Sequence, residues 1–107
     1  MGKYRSRVEI VADILEVASD GALKTHIMYK CNLSYKLLQQ YLADTIEAGL
    51  ISSKGSRKQY TTTEKGEQFL EQFKAYVQHS EEVRQEVTKV NNERALLEDF
   101  IRNEDSR

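Results

Sequence analysis

Apolar positions in this chain recur mostly at three- and four-residue spacing, interrupted once by a pair of short β-prone runs. Val8, Val11, Ile14, Leu15 and Ala18 share one helical face and predict a first helix. Ser6 with Glu9 three residues on is a capping box that opens it, and Ser19-Asp20-Gly21 ends it. Ala22 to Cys31 reads as a short second helix, with Leu23, Ile27, Met28 and Cys31 inward and Lys24, His26 and Lys30 outward. Asn32-Leu33 makes a turn, with Leu33 plugging the core. Ser34 then caps a third helix that ends at Gly49. Its buried stripe is Leu37, Leu38, Tyr41, Leu42, Thr45 and Ile46. Leu50-Ile51-Ser52 and Gln59-Tyr60-Thr61 are β-prone and flank Ser53 to Lys58, the pattern of a hairpin.

Thr62 or Thr63 caps a final helix that meets no breaker until about Asn103. At about 1.5 Å per residue it would be roughly 60 Å long, more than a small domain can cover. Phe69, Phe73, Tyr76, Ser80, Val83, Val87, Val90, Arg94, Leu97 and Ile101 alternate by four and three, and eight of these ten are apolar. That is a coiled-coil seam, with Leu70 and Val77 widening it where the helix should also pack on the preceding domain. The chain has no spare helix to cover it, so the partner is most simply a second copy. With Phe73, Ser80, Val87, Arg94 and Ile101 at the a positions, Ser80 and Arg94 form polar layers that help fix register. A parallel pair would set Glu93 beside Glu98 of the partner helix, whereas an antiparallel pair lets Arg84 approach Glu98, so the charges favour antiparallel. The expected organisation is a helix-turn-helix with a hairpin over residues 1–62, a dimerisation helix over 63–103 and a frayed tail at 104–107. The fold class is mainly α with one small β-hairpin.

Composition narrows the picture. The chain has 107 residues, 39% hydrophobic and 31% charged, enough for one domain with an appended element and a small core. No apolar run approaches a membrane span, and Met1 to Arg7 lead into an amphipathic segment, unlike a signal peptide. One cysteine, Cys31, rules out an internal disulfide and fits a reducing cytoplasm; on its apolar face it reads as a core residue. The absence of proline leaves long helices uninterrupted. Net charge is −1, but residues 1–60 hold nine Lys/Arg against six Asp/Glu and residues 61–107 hold seven against eleven. Only the first part has the sign that phosphate attracts.

The outer face of the third helix carries Tyr35, Lys36, Gln39, Gln40 and Ala43, types that suit a DNA groove: Lys meets phosphate or guanine, and Gln pairs with adenine. The same residues equally describe a solvated surface helix. The hairpin tip holds Lys54, Arg57 and Lys58, and a basic hairpin after a helix-turn-helix is a wing. Its plainer reading is an edge hairpin protected by charge; position after the helix pair favours contact. Lys3, Arg5 and Arg7 around Tyr4 form a basic arm, either laid on phosphates or frayed.

Lys24-Thr25-His26-Ile27-Met28-Tyr29, Asn32-Leu33-Ser34-Tyr35, Tyr41-Leu42 and Gly49-Leu50-Ile51 resemble archaeal winged-helix proteins. More narrowly, they are similar to the small crenarchaeal chromatin-associated DNA-binding family with a C-terminal coiled coil. Thr63-Glu64-Lys65-Gly66 before Phe69-Leu70 looks like that family's entry into its last helix. The likeness runs from about Arg5 to Tyr76. It implies a winged helix-turn-helix, an antiparallel coiled-coil dimer and double-stranded DNA binding with weak sequence preference. By position it puts recognition-helix contacts on Tyr35, Lys36, Gln39 and Gln40 and wing contacts on Lys54, Arg57 and Lys58, to which the outward cations Lys24, Lys30 and Arg5 add. His26 departs from the family's usual arginine, which weakens a phosphate contact there.

The sequence therefore predicts a cytoplasmic, nucleoid-associated DNA-binding dimer, architectural or a transcriptional regulator. The alternative is a winged-helix protein-interaction module that does not bind DNA, which the acidic C-terminal part permits. An enzyme, a cofactor, a metal site or a small-molecule substrate is not expected. His26 and His79 lie far apart, and neither a glycine-rich phosphate loop nor a paired acidic motif is present.

Overall fold

The computed structural model describes residues 4–54 and 59–102, for Lys54 the backbone alone. The element order is α1 (Arg7–Val17), α2 (Lys24–Cys31), α3 (Tyr35–Glu47), β1 (Ile51–Lys54), β2 (Gln59–Thr62) and α4 (Glu64–Ile101). The chain divides into two compact units, Met1–Phe73 and Lys74–Arg107.

Side-chain hydroxyls cap α1, α3 and α4, whereas Leu23 gives α2 no side-chain cap. Ser6 Oγ accepts from the Glu9 amide, and the Glu9 carboxylate accepts from the Ser6 amide, so the predicted capping box is complete. Ser34 Oγ accepts from the Leu37 amide at 3.2 Å and opens α3. Thr63, rather than Thr62, caps α4: its hydroxyl accepts from the Gly66 amide at 3.1 Å and donates to the Gly49 carbonyl at 2.6 Å. Thr62 is turned inward, where its hydroxyl donates to the Leu15 carbonyl at 2.7 Å. Lys65 Nζ donates to the Ala48 carbonyl at 2.6 Å, a cation at the negative end of α3.

Ile14 and Leu15 of α1, with Ala18 just after it, cluster with Ile27 and Cys31 of α2, Leu33 of the turn, Leu38 and Leu42 of α3, Ile51 of β1 and Leu70 of α4. The stripes expected on three helices are narrower than predicted. Leu37 and Ile46 are exposed on α3, because only the meridian of Leu38, Leu42 and Thr45 faces neighbours in so thin a domain. Leu23 is exposed as well: it is the extended residue before α2, where helical spacing no longer sets direction. Val8 lies a turn beyond the core and lines a shallow groove of about 230 Å³ with Val11, Tyr41, Leu50 and Phe69.

The hairpin is antiparallel with Ile51 opposite Thr62 and Lys54 opposite Gln59. A further pairing joins it to the helices. Ala22 and Tyr60 exchange both backbone hydrogen bonds, at 2.9 and 2.8 Å, so Ala22, two residues before α2, acts as a third edge of the sheet. Sequence periodicity placed Ala22 in a helix; one bridged residue leaves no pattern to read.

The first compact unit runs to Phe73 and so includes the start of α4. Phe69 and Phe73 stack at 6.5 Å and pack on the core beside Leu70, where the helix start is expected to pack on the preceding domain.

In the second unit α4 continues without a break. Tyr76, Val83, Val87, Val90, Leu97 and Ile101, the apolar seam positions from Tyr76 on, each have more than half of their surface exposed, and Ser80 and Arg94 are exposed too. The Arg84 guanidinium donates to the Glu81 carboxylate of its own helix through both Nε and Nη2, which holds that carboxyl below its ordinary range. Among the described residues no helix is long and apolar enough to cross a membrane.

Candidate nucleic-acid interface

The α2-turn-α3 unit sets the site. Asn32 ends α2 in the left-handed conformation (φ 54°), which asparagine tolerates, and Leu33 follows into the core with its amide on the Met28 carbonyl at 3.1 Å. That tight turn starts α3 at Tyr35. Tyr35, Lys36, Gln39, Gln40 and Ala43 are all exposed, while Leu38, Leu42 and Thr45 hold the opposite meridian inside. The buried Thr45 hydroxyl donates back to the Tyr41 carbonyl at 2.8 Å, so the helix carries no orphaned polar group into the core.

Charge over most of this unit is one-signed. From Gly21 to Ala43 the chain holds Lys24, Lys30 and Lys36 and no Asp or Glu. The carboxylates of α3, Asp44 and Glu47, stand in its last turn, and Asp44 lies 3.8 Å from Arg7. The positive end of the α3 dipole adds to the lysines at the Tyr35 end. Lys24 Nζ stands 5.0 Å from the Tyr35 ring centre, a cation–π contact that ties the start of α2 to the start of α3. Both residues were singled out in the sequence; their contact was not, since ten intervening residues and a turn hide it.

Arg5 is placed elsewhere. Its guanidinium donates to the Asp13 carboxylate at 2.6 Å, to the Cys31 carbonyl at 2.7 Å and to the Asn32 carbonyl at 3.4 Å. In the free chain this arginine closes the C-terminal end of α2. Arg7, Lys30 and His26 are exposed. Lys3, Arg57 and Lys58 lie outside the described residues, as does the side chain of Lys54, so the wing contacts stand as read from sequence. Cys31 is buried, and burial, with Asp13 adding and Arg5 opposing, pushes its thiol up to about 11. It is an inert core residue.

Residues 4–81 match the winged helix-turn-helix family. The chain belongs to that family. Among solved structures it is similar to Sso10a-2, a DNA-binding protein from Sulfolobus solfataricus, with 27% identity and a TM-score of 0.74. The match covers 82% of this chain and 95% of that one. A search of curated proteins finds no match. The archaeal winged-helix resemblance carried by Lys24–Tyr29, Asn32–Tyr35 and Gly49–Ile51 is borne out, and so are the hairpin and the long last helix.

Proposed function

We propose that this winged-helix protein binds double-stranded DNA as a homodimer, with α3 in the major groove and the wing on flanking backbone. The observation that carries this reading is the acid-free exposed face that ends at Tyr35, Lys36, Gln39 and Gln40, set at the positive end of α3. Similarity to a DNA-binding Sulfolobus protein supports it. Lys36, Lys24 and Lys30 would neutralise phosphates, the two glutamines would face base edges, and Lys54, Arg57 and Lys58 would extend the grip. The role is binding, not catalysis. The exposed stripe from Tyr76 to Ile101 supports dimerisation through α4, and two linked heads raise avidity wherever DNA meets both.

The antiparallel arrangement rests on the sequence argument, and Arg84 would have to exchange Glu81 for Glu98 of the other copy. Fluorescence anisotropy with random duplex across a salt series tests the reading. Affinity should fall steeply as salt rises, because counterion release dominates such binding. Absence of binding at micromolar protein and low salt would instead support the protein-interaction module. Footprinting on genomic DNA separates the two biological roles: discrete sites mean a regulator, broad coverage an architectural protein.

A further inference from the structure

Two aromatic rings beside the duplex-reading face have no part in it. On α2, Ile27 and Cys31 are buried and Met28 is half-buried, so a step of about 100° per residue puts Tyr29 opposite the core. Its side chain is 80% exposed. Tyr4 is 91% exposed, and the next residue, Arg5, pins that part of the chain to the C-terminal end of α2 through the Cys31 and Asn32 carbonyls. Tyr35 follows the same turn and is itself more than half exposed. Three exposed phenol rings therefore belong to the end of α2, the turn into α3 and the segment that Arg5 pins to them.

The setting of these rings selects a partner. Thr25, His26 and Lys30 share the exposed side of α2 with Tyr29, and no carboxylate interrupts the chain from Gly21 to Ala43. Two carboxylates of α1, the helix that follows Arg5, are occupied: Glu9 by the Ser6 amide and Asp13 by Arg5. Tyrosine is also common in protein interfaces, but there it sits in an apolar centre; here its neighbours are polar or cationic. In a duplex the base faces are stacked on one another, and side chains reach only the edges. Unpaired bases offer their faces, and an aromatic ring beside a cation takes them with little regard to sequence.

We propose that the α2 end of the first unit is a binding site for single-stranded nucleic acid, with Tyr4 and Tyr29 stacking on unpaired bases and Lys30, with Lys24 at the other end of the helix beside Tyr35, holding the backbone. It shares the two lysines with the duplex reading but rests on rings that the duplex reading leaves idle.

The test uses the full chain and fluorescence anisotropy at low salt with three labelled probes of equal length: oligothymidylate, an abasic strand and a duplex. Oligothymidylate should bind on the order of ten-fold more tightly than the abasic strand, because the two differ only in bases that can stack. Tyr4→Ala with Tyr29→Ala should remove that preference and leave duplex affinity unchanged, whereas Tyr29→Phe should keep it. Equal binding of abasic and base-bearing strands overturns the proposal and turns the rings toward a protein partner. So does a double variant that retains the preference, or one that loses duplex and single strand alike. Duplex binding is read in its own arm, so failure of the earlier reading shows there separately.

Discussion

Gly66, in the first turn of α4, lies directly against the Leu50 carbonyl. A β-carbon at this position would collide with that oxygen and with the Thr62 methyl. The entry of the last helix into the first unit therefore depends on a missing side chain. Gly66→Ala should gain about 1 kcal/mol of helix propensity and lose more to overpacking, for a net destabilisation of roughly 1–3 kcal/mol in urea unfolding. A variant as stable as the parent would mean that β1 and α4 separate without cost.

Arg5 and Asp13 act as one unit with the end of α2. Arg5→Ala should cost roughly 1–3 kcal/mol, since it leaves Asp13 unpaired and frees the Cys31 carbonyl. Adding Asp13→Ala should then cost less than it does alone, and a double-mutant cycle measures the coupling. Independent, additive effects would contradict the clamp.

Lys36 is expected on phosphate or guanine. Lys36→Ala should lower the slope of log affinity against log salt by about one if it neutralises a phosphate. Replacing Lys54, Arg57 and Lys58 together should weaken all duplex sequences similarly, whereas a loss confined to one sequence would assign the wing to base reading.

Val87 lies at the centre of the exposed stripe on α4. Val87→Glu would bury a carboxylate at a dimer seam, at a cost of several kcal/mol, which raises the dimer dissociation constant roughly a hundred-fold or more. Sedimentation equilibrium reads this directly. A parent chain that is already monomeric at high concentration removes the dimer from the proposal.

Cys31 gives a pH signature. Its thiol is pushed from 9.0 up to about 11, so the folded chain holds this proton more tightly than the unfolded one. The resulting stability is fully present below about pH 9 and is lost as pH rises through about 11. The parent should therefore lose stability relative to Cys31→Ala across that window in urea midpoints. At pH 8 a thiol reagent should modify the native chain only as fast as it unfolds.

Much of the head was legible in the chain because its signals are local. Ser6 with Glu9, Ser34 before Leu37, Gly49 after Ala48 and the breaker-free run to Ile101 each act within one helical turn, so spacing alone reveals them. Tyr35, Lys36, Gln39 and Gln40 were legible as an outward face for the same reason. Less legible were contacts between residues far apart in the chain. Ala22 with Tyr60, Lys24 with Tyr35 and Arg5 with Cys31 depend on how elements cross, and no periodicity encodes a single crossing point.

What the sequence determined by itself was the set of helices, their caps, the position of the hairpin and the stripe along α4, because hydrogen-bond caps and apolar spacing are properties of neighbouring residues. What only the tertiary structure decided was which candidates are free to act. Arg5 looks like any basic arm residue until α1 and α2 converge and draw its guanidinium onto Asp13 and two carbonyls. Phe73 is spaced as a seam residue, and the helix packs it against the core of the first unit. Tyr29 has no role in the periodicity, and burial of Ile27 and Cys31 fixes the rotation of α2 and turns its ring to solvent.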